Sequence, residues 1–185
     1  RNANSTVVSY HVDPTTNDIL AVHKGPVTGS GYTEVHVLDA KSNYQVFNLH
    51  TATPIEPTAG GGAEWAFGVK ANGDLVGVKK GPTGTGKTEV HVLSKSSSYT
   101  SFVLQTPTAL NYTTVSATSV EWDFAVLAKH CNDLMVIKKG PFTGTSQTEV
   151  HILSAADDYK SFSWHSSSAL AYTDSSTGQD WSFVA

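Results

Sequence analysis

Alternating apolar and polar residues recur along this chain in short runs separated by turn-forming clusters. The pattern is clearest between residues 65 and 110. Trp65-Ala66-Phe67-Gly68-Val69 alternates large and small side chains and predicts a half-buried strand. Asn72-Gly73-Asp74 predicts a hairpin turn, and Leu75 to Lys80 a second strand. A Thr/Gly-rich loop, Gly81 to Lys87, leads into a third strand, Thr88 to Leu93. A Ser-rich turn (Ser94 to Ser98) precedes a fourth, from Tyr99 to about Gln105, and Thr108-Ala109-Leu110 closes the unit. No segment sustains a helical period, and β-branched and turn residues dominate, so no helix of consequence is expected.

The unit occurs three times. Thr33-Glu34-Val35-His36-Val37-Leu38 returns as Thr88-Glu89-Val90-His91-Val92-Leu93 and as Thr148-Glu149-Val150-His151-Ile152-Leu153, each after a Gly-Pro pair (Gly25-Pro26, Gly81-Pro82, Gly140-Pro141). Spacings of 55 and 60 residues mark a repeat architecture. Repeat three has strands at Trp122 to Val126, Leu134 to Lys139, Thr148 to Leu153 and Tyr159 to Trp164; repeat one has them at Ile19 to Lys24, Thr33 to Leu38 and Tyr44 to Leu49. The opening strand of repeat one lacks the Trp. Either Thr6 to Val12 fills that place, or Trp181-Ser182-Phe183-Val184 does, closing a ring from the C-terminus.

The expectation is an all-β chain of three four-stranded antiparallel repeats around a pseudo-threefold axis, forming a small propeller-like ring closed by the C-terminal strand. A β-trefoil is the alternative. Residues 1–185 read as a single domain, with repeats at about 1–63, 64–120 and 121–180 and a closing strand at 181–185.

Composition narrows the function classes. A net charge of −4 with 15% charged residues argues against nucleic-acid binding. No apolar run approaches a membrane span, so no membrane insertion is expected. The one cysteine, Cys131, excludes an internal disulfide. The sequons Asn4-Ser5-Thr6 and Asn111-Tyr112-Thr113, and a start at Arg1 rather than Met, lead us to expect removal of a leader and a secreted or extracellular setting, with a cytoplasmic one as the alternative.

Candidate chemistry lies in the recurring hairpin. With Lys80 facing Thr88, antiparallel pairing puts Lys79 opposite Glu89, Val78 opposite Val90 and Gly77 opposite His91. The same rule sets His23 against Glu34 with Ala21 against His36, and Lys138 against Glu149 with Val136 against His151. Val22 with Val35, Val78 with Val90, and Ile137 with Val150 then form the core face. The polar face has two readings. One is a cross-strand salt bridge that fixes register, worth about 0–1 kcal/mol if exposed. The other is a ligand pocket, in which carboxylate, ammonium and imidazole pair with the vicinal hydroxyls of a sugar. A third possibility brings His36, His91 and His151 together on the axis around Zn²⁺, though nothing in their spacing forces convergence. Ca²⁺ is possible at the Asp/Asn turns (Asp13, Asp18, Asn72, Asp74, Asn132, Asp133), but these lack a full set of oxygen ligands.

Among the aromatics, Trp65, Trp122 and Trp181 with Phe67, Phe124 and Phe183 are expected in the core, as are Phe47, Phe102 and Phe162. Tyr44, Tyr99 and Tyr159 open the fourth strands. Tyr112 and Tyr172, in loops after the Ala-Leu pairs, are candidates for stacking on a ligand. Trp164 occurs in one repeat only.

The succession Trp-x-Phe-x-Val, Asn-Gly-Asp-Leu, Val-Lys-Lys, Thr-Gly-Thr-Gly-Lys-Thr-Glu-Val-His-Val-Leu-Ser, Tyr-x-x-Phe and Thr-Ala-Leu over residues 65–110 resembles the FG-GAP or VCBS blade repeats of actinobacterial secreted hydrolases and mushroom proteins, and in particular lectins of the oyster-mushroom type. The resemblance covers nearly all of the chain. It implies binding of galactose or N-acetylgalactosamine, with Ca²⁺ as a possible cofactor, although the fuller Asp-x-Asn-x-Asp-Gly calcium loop is missing here.

Three copies of one shallow site suit avidity on a multivalent glycan more than catalysis. No Ser-His-Asp order, nucleophile elbow or lone carboxylate pair stands out, so no catalytic residue is assigned. The expected function is a lectin with up to three sites: His23, Glu34 and His36; Lys79, Glu89 and His91; Lys138, Glu149 and His151. Glycans are the expected partners, and a homo-oligomer is possible. The alternatives are an accessory carbohydrate-binding domain of a secreted hydrolase or a protease inhibitor. The Pro54 to Ala63 loop, with its Gly60-Gly61-Gly62, is the departure from symmetry that an inhibitory loop would require.

Overall fold

A computed structural model describes residues 8–25, 29–56, 64–81, 83–112, 122–139 and 146–171. They form three four-stranded antiparallel sheets, each a meander whose neighbours pair in chain order. The first holds β1 (Val8–Val12), β2 (Ile19–His23), β3 (Glu34–Leu38) and β4 (Phe47–Ala52). The second holds β5 (Trp65–Val69), β6 (Leu75–Lys79), β7 (Lys87–Leu93) and β8 (Phe102–Asn111). The third holds β9 (Trp122–Leu127), β10 (Asp133–Lys138), β11 (Gln147–Leu153) and β12 (Phe162–Ala171). Each repeat is thus a self-contained blade-like meander. Helical structure among the described residues is confined to single 3₁₀ turns such as Ala40–Ser42, Lys95–Ser97 and Ala155–Asp157. No helix among them is long and apolar enough to cross a membrane.

Packing explains the patterning. One apolar cluster joins the first sheet to the second: Leu20, Val22, Val35 and Val37 pack against Ile55, Trp65, Phe67, Leu75 and Tyr99. Another joins the second to the third: Val76, Val78, Val90 and Val92 pack against Trp122, Leu134, Val136 and Tyr159. The second sheet is therefore covered on both faces. That is why Leu75, Val76, Gly77 and Val78 are all buried in succession, where a half-buried strand would alternate. Each fully buried Val or Leu contributes roughly 1.5–3 kcal/mol. The opening strands of successive sheets adjoin, β1 beside β5 and β5 beside β9.

The sheets are also tied through their turns. Lys95 Nζ reaches from the second sheet to Asp13 Oδ2 of the first at 2.6 Å and donates to Thr15 Oγ1 at 2.7 Å. The Ala71 amide donates to Asn132 Oδ1 of the third at 2.6 Å. Gly73 is required beneath this junction. Its φ is +88°, and a Cβ there would stand 2.5 Å from Lys95 Cδ. Asp18, Asp74 and Asp133 each accept a hydrogen bond from the first amide of the following 3₁₀ turn, Ala40, Lys95 and Ala155, at 2.8, 2.9 and 2.8 Å. The Asp and Asn turn residues weighed above for Ca²⁺ thus already serve as hinges and caps of the fold.

Three expectations need correction. Tyr44, Tyr99 and Tyr159 do not open strands: each sits in a left-handed turn after the 3₁₀ turn, at φ near 62°, 61° and 62°. Tyr99 and Tyr159 are buried there and donate to the Gly73 and Asn132 carbonyls, each at 3.2 Å. The fourth strands begin later and run through the Thr-Ala-Leu segment. Phe47 and Phe162 are exposed and Phe102 only partly buried, because their rings lie over histidines on the sheet face. Val8–Val12 takes the opening-strand place of repeat one. The segment Trp181 to Val184 lies outside the described residues, as does most of the Pro54 to Ala63 loop.

Candidate functional site

Strand register brings the polar triads together as the sequence requires. Lys79 pairs with Glu89 and Gly77 with His91; His23 pairs with Glu34 and Ala21 with His36; Lys138 pairs with Glu149 and Val136 with His151. Glu and His lie two apart on one strand, so both project from the same face. Their side chains meet: His91 Nε2 is 3.5 Å from Glu89 Oε2, His151 Nε2 is 3.3 Å from Glu149 Oε2, and His36 Nε2 is 3.4 Å from Glu34 Oε2.

The second repeat has the most fully built site. Lys79, Glu89 and His91 line a cleft of about 230 Å³ together with Trp65, Phe102, Gln105 and Pro54, Ile55 and Glu56. The last three arrive from the end of the first repeat, so the cleft lies where two repeats meet. Residue 77, opposite His91, is packed tightly as glycine: a Cβ there would stand 3.1 Å from Phe67 Cε1 and 3.3 and 3.4 Å from Ile55 Cδ1 and Trp65 Cζ3, two residues that line the cleft.

His91 and Glu89 are held from behind. Gln105, on β8 opposite His91, puts its Nε2 3.1 Å from His91 Nδ1. With the amide as donor, Nδ1 is the acceptor and the proton sits on Nε2, facing Glu89. Trp65 and Phe102 flank the imidazole, with ring centroids 5.2 and 5.7 Å away. Thr85 Oγ1 donates to Glu89 Oε1 at 3.3 Å, and Ser30 Oγ does the same to Glu34 Oε1 at 2.8 Å. Burial holds the His91 and His151 imidazoles below their ordinary range despite the neighbouring carboxylates, so both are neutral at pH 7. Trp65 Nε1 and His91 Nε2 are buried with no hydrogen-bond partner among the described residues.

In repeat three, Trp122 and Phe162 flank His151 at 5.8 and 5.6 Å, and Lys138 Nζ lies 5.5 Å above the Trp122 ring. In repeat one, His50 and Phe47 flank His36. The three histidines therefore each belong to their own sheet and its aromatics, and none shares a cluster with another. Beneath each triad lies a hydroxyl pair: Thr33 with Thr53 and Thr88 with Thr108 at 2.6 Å, both buried, and Thr148 with Ser168, part-buried.

Tyr112 is not in the cleft. Its ring packs on Gly81, where a Cβ would meet it at 2.8 Å. Tyr172 lies outside the described residues. Sequence reasoning did not find Gln105, Phe102 or Pro54 to Glu56 as cleft residues. Register could have offered Gln105, which pairs directly with His91 across β7 and β8. A second hollow, of about 500 Å³, lies among the opening strands and is lined by Tyr10, His11, Phe67, Phe124 and Val126 among others. Burial drives the His11 imidazole down to about 4, with Lys24 adding to the shift.

Compared with family models, curated proteins and solved structures, the chain matches none.

Proposed function

We propose that this chain is a carbohydrate-binding lectin, a binder rather than a catalyst, whose best-formed site is the cleft around Lys79, Glu89 and His91. The observation that carries this is the cleft's make-up: a monosaccharide-sized hollow in which an ammonium, a carboxylate, an imidazole and an amide converge beside two aromatic rings. Hydroxyls at adjacent ring carbons need donors and acceptors a few ångströms apart, and the apolar face of a sugar needs a flat partner such as Trp65 or Phe102. Galactose and N-acetylgalactosamine glycans are the ligands to which the resemblance of residues 65–110 points.

The equivalent triads in repeats one and three make the chain up to threefold multivalent, so weak sites reinforce one another on a dense glycan surface. A secreted setting agrees with this role. In the finer architecture the three sheets surround a pseudo-threefold axis as blades, with the C-terminal strand as the closing element. Support for that closure comes from the third sheet's outer face. Met135, Ile137, Val150 and Ile152 occupy the places of Val76, Val78, Val90 and Val92, which Trp122 helps to cover. Trp181 and Phe183 repeat the Trp-x-Phe pair and would supply the matching cover.

Titration of the chain with galactose and N-acetylgalactosamine, followed by tryptophan fluorescence and repeated with EDTA, tests the proposal. A saturable change that Trp65→Phe alters supports it. Absence of any response to these sugars or to a glycan array removes it.

A further inference from the structure

Repeat one departs from the other two in its polar cluster. His23 stands where repeats two and three carry Lys79 and Lys138, in each case directly across from the Glu. His50 stands opposite His36, where repeat two places Gln105 opposite His91. Repeat three has His165 at that place but keeps its lysine. Only repeat one combines the two exchanges, trading a fixed cation and an amide for two imidazoles.

We infer that His23, Glu34, His36 and His50 form a binding site for a divalent transition-metal cation of the Zn²⁺ type. Adjacent strands β2, β3 and β4 present the four side chains on one face. One ligand atom each from Glu34, His36 and His50 lies within 4.8 Å of the others. The His36 and His50 rings are 4.2 Å apart, edge to face, and His23 Nδ1 is 4.0 Å from Glu34 Oε2. A tetrahedral Zn²⁺ with bonds of about 2.0–2.2 Å needs donors about 3.3 Å apart, so modest side-chain rotation closes the set.

The surroundings fit a cation. Ser30 donates through its amide and Oγ to Glu34 Oε1, at 3.2 and 2.8 Å, leaving Oε2 turned towards the histidines. Such an outer contact orients a ligating carboxylate. Repeats two and three would oppose a divalent ion with a lysine ammonium at the same position.

The cluster shares His23, Glu34 and His36 with the repeat-one triad, so a metal there takes the place of a sugar in that repeat. The test contains no sugar and stands or falls separately from glycan binding at repeats two and three. The chain is titrated with Zn²⁺ by calorimetry and with Co²⁺ by visible absorption, which reports a four- or five-coordinate nitrogen-rich site. We expect one tight site per chain. His23→Lys with His50→Gln gives repeat one the residues of repeat two and should weaken it by roughly 100-fold or more. His50→Gln alone, at an exposed side chain that the fold does not need, should weaken it at least about tenfold. His165→Gln should leave it unchanged. No saturable Zn²⁺ or Co²⁺ binding by the unaltered chain, or equal binding by His50→Gln, overturns the inference.

Discussion

Gln105 holds His91 from the neighbouring strand, its amide nitrogen 3.1 Å from Nδ1. This one contact sets the tautomer of the imidazole and leaves its protonated nitrogen towards Glu89, 3.5 Å away. Amide, imidazole and carboxylate thus stand in a row in the cleft, with Lys79 across from Glu89 on β6 and His91 Nε2 without a hydrogen-bond partner among the described residues. Gln105→Leu keeps the bulk and removes the donor. It should weaken glycan binding at this cleft by about five- to tenfold, the loss of one neutral hydrogen bond, with little change in thermal stability. Calorimetric titration beside a melting curve checks both halves.

Hydroxyl pairs underlie all three triads, buried in repeats one and two and part-buried in repeat three. Thr88 is fully buried and its Oγ1 pairs with Thr108 Oγ1. Thr88→Val should cost about 1–3 kcal/mol, because it strands the Thr108 hydroxyl. Replacing both by Val should not recover that loss, because Thr108 Oγ1 also accepts from the buried Leu110 amide at 3.0 Å, which is then left unmatched. Denaturant unfolding of the two single variants and the double variant forms the required cycle.

Tyr99 and Tyr44 occupy equivalent turns, but only Tyr99 is buried. Its hydroxyl donates to the Gly73 carbonyl, while the Tyr44 hydroxyl contacts the Asn17 carbonyl at 3.4 Å in the open. Tyr99→Phe should lower stability by about 1 kcal/mol and Tyr44→Phe by much less. Equal losses in the two unfolding curves would contradict this difference in burial.

Acid should destabilise the fold from about pH 6.5 downward. His11, His36, His91 and His151 all have lowered folded values, chiefly through burial. Between each folded value and the unfolded one near 6.5, the unfolded chain binds more protons, so stability rises with pH. The contribution is therefore complete above about pH 6.5 and is lost as pH falls through the folded values. For His11, lowered from 6.5 to about 4, it reaches roughly 3 kcal/mol at most, at about 1.4 kcal/mol per pH unit. Melting temperature against pH from 4 to 8 measures it, and His11→Gln should flatten the lower part of the curve.

Much of the site was legible because alternation and register leave little freedom. Once the turn aligns Lys80 with Thr88, every opposing pair on β6 and β7 follows, and the observed pairs agree. Burial on both faces of the second sheet was not legible, because the cover comes from residues of other repeats, as Trp122 covers Val78. The fourth strand was cut short at Gln105 because Pro107 reads as a break. On the sheet edge, where β8 lies, a proline removes no ladder bond that the sheet needs. Phe102 read as core and does pack, partly buried, against the cluster between the first two sheets; that its ring also flanks His91 was not legible. The tyrosine turns were hidden because two successive left-handed residues without glycine are costly locally; burial of Tyr99 and Tyr159 offsets that cost in repeats two and three, while Asn43-Tyr44 takes the same turn with its tyrosine exposed.

The most direct test of the central claim is glycan binding by a chain in which Glu34, Glu89 and Glu149 are all changed to Gln, compared with the unaltered protein. Glu→Gln preserves shape and removes the charge, so circular dichroism should be unchanged. Each site should lose roughly 10- to 100-fold in affinity, the range for a charged hydrogen bond, and array binding should vanish through lost avidity. Undiminished binding by the triple variant would show that these carboxylates serve only the sheet and that no sugar is held in the clefts.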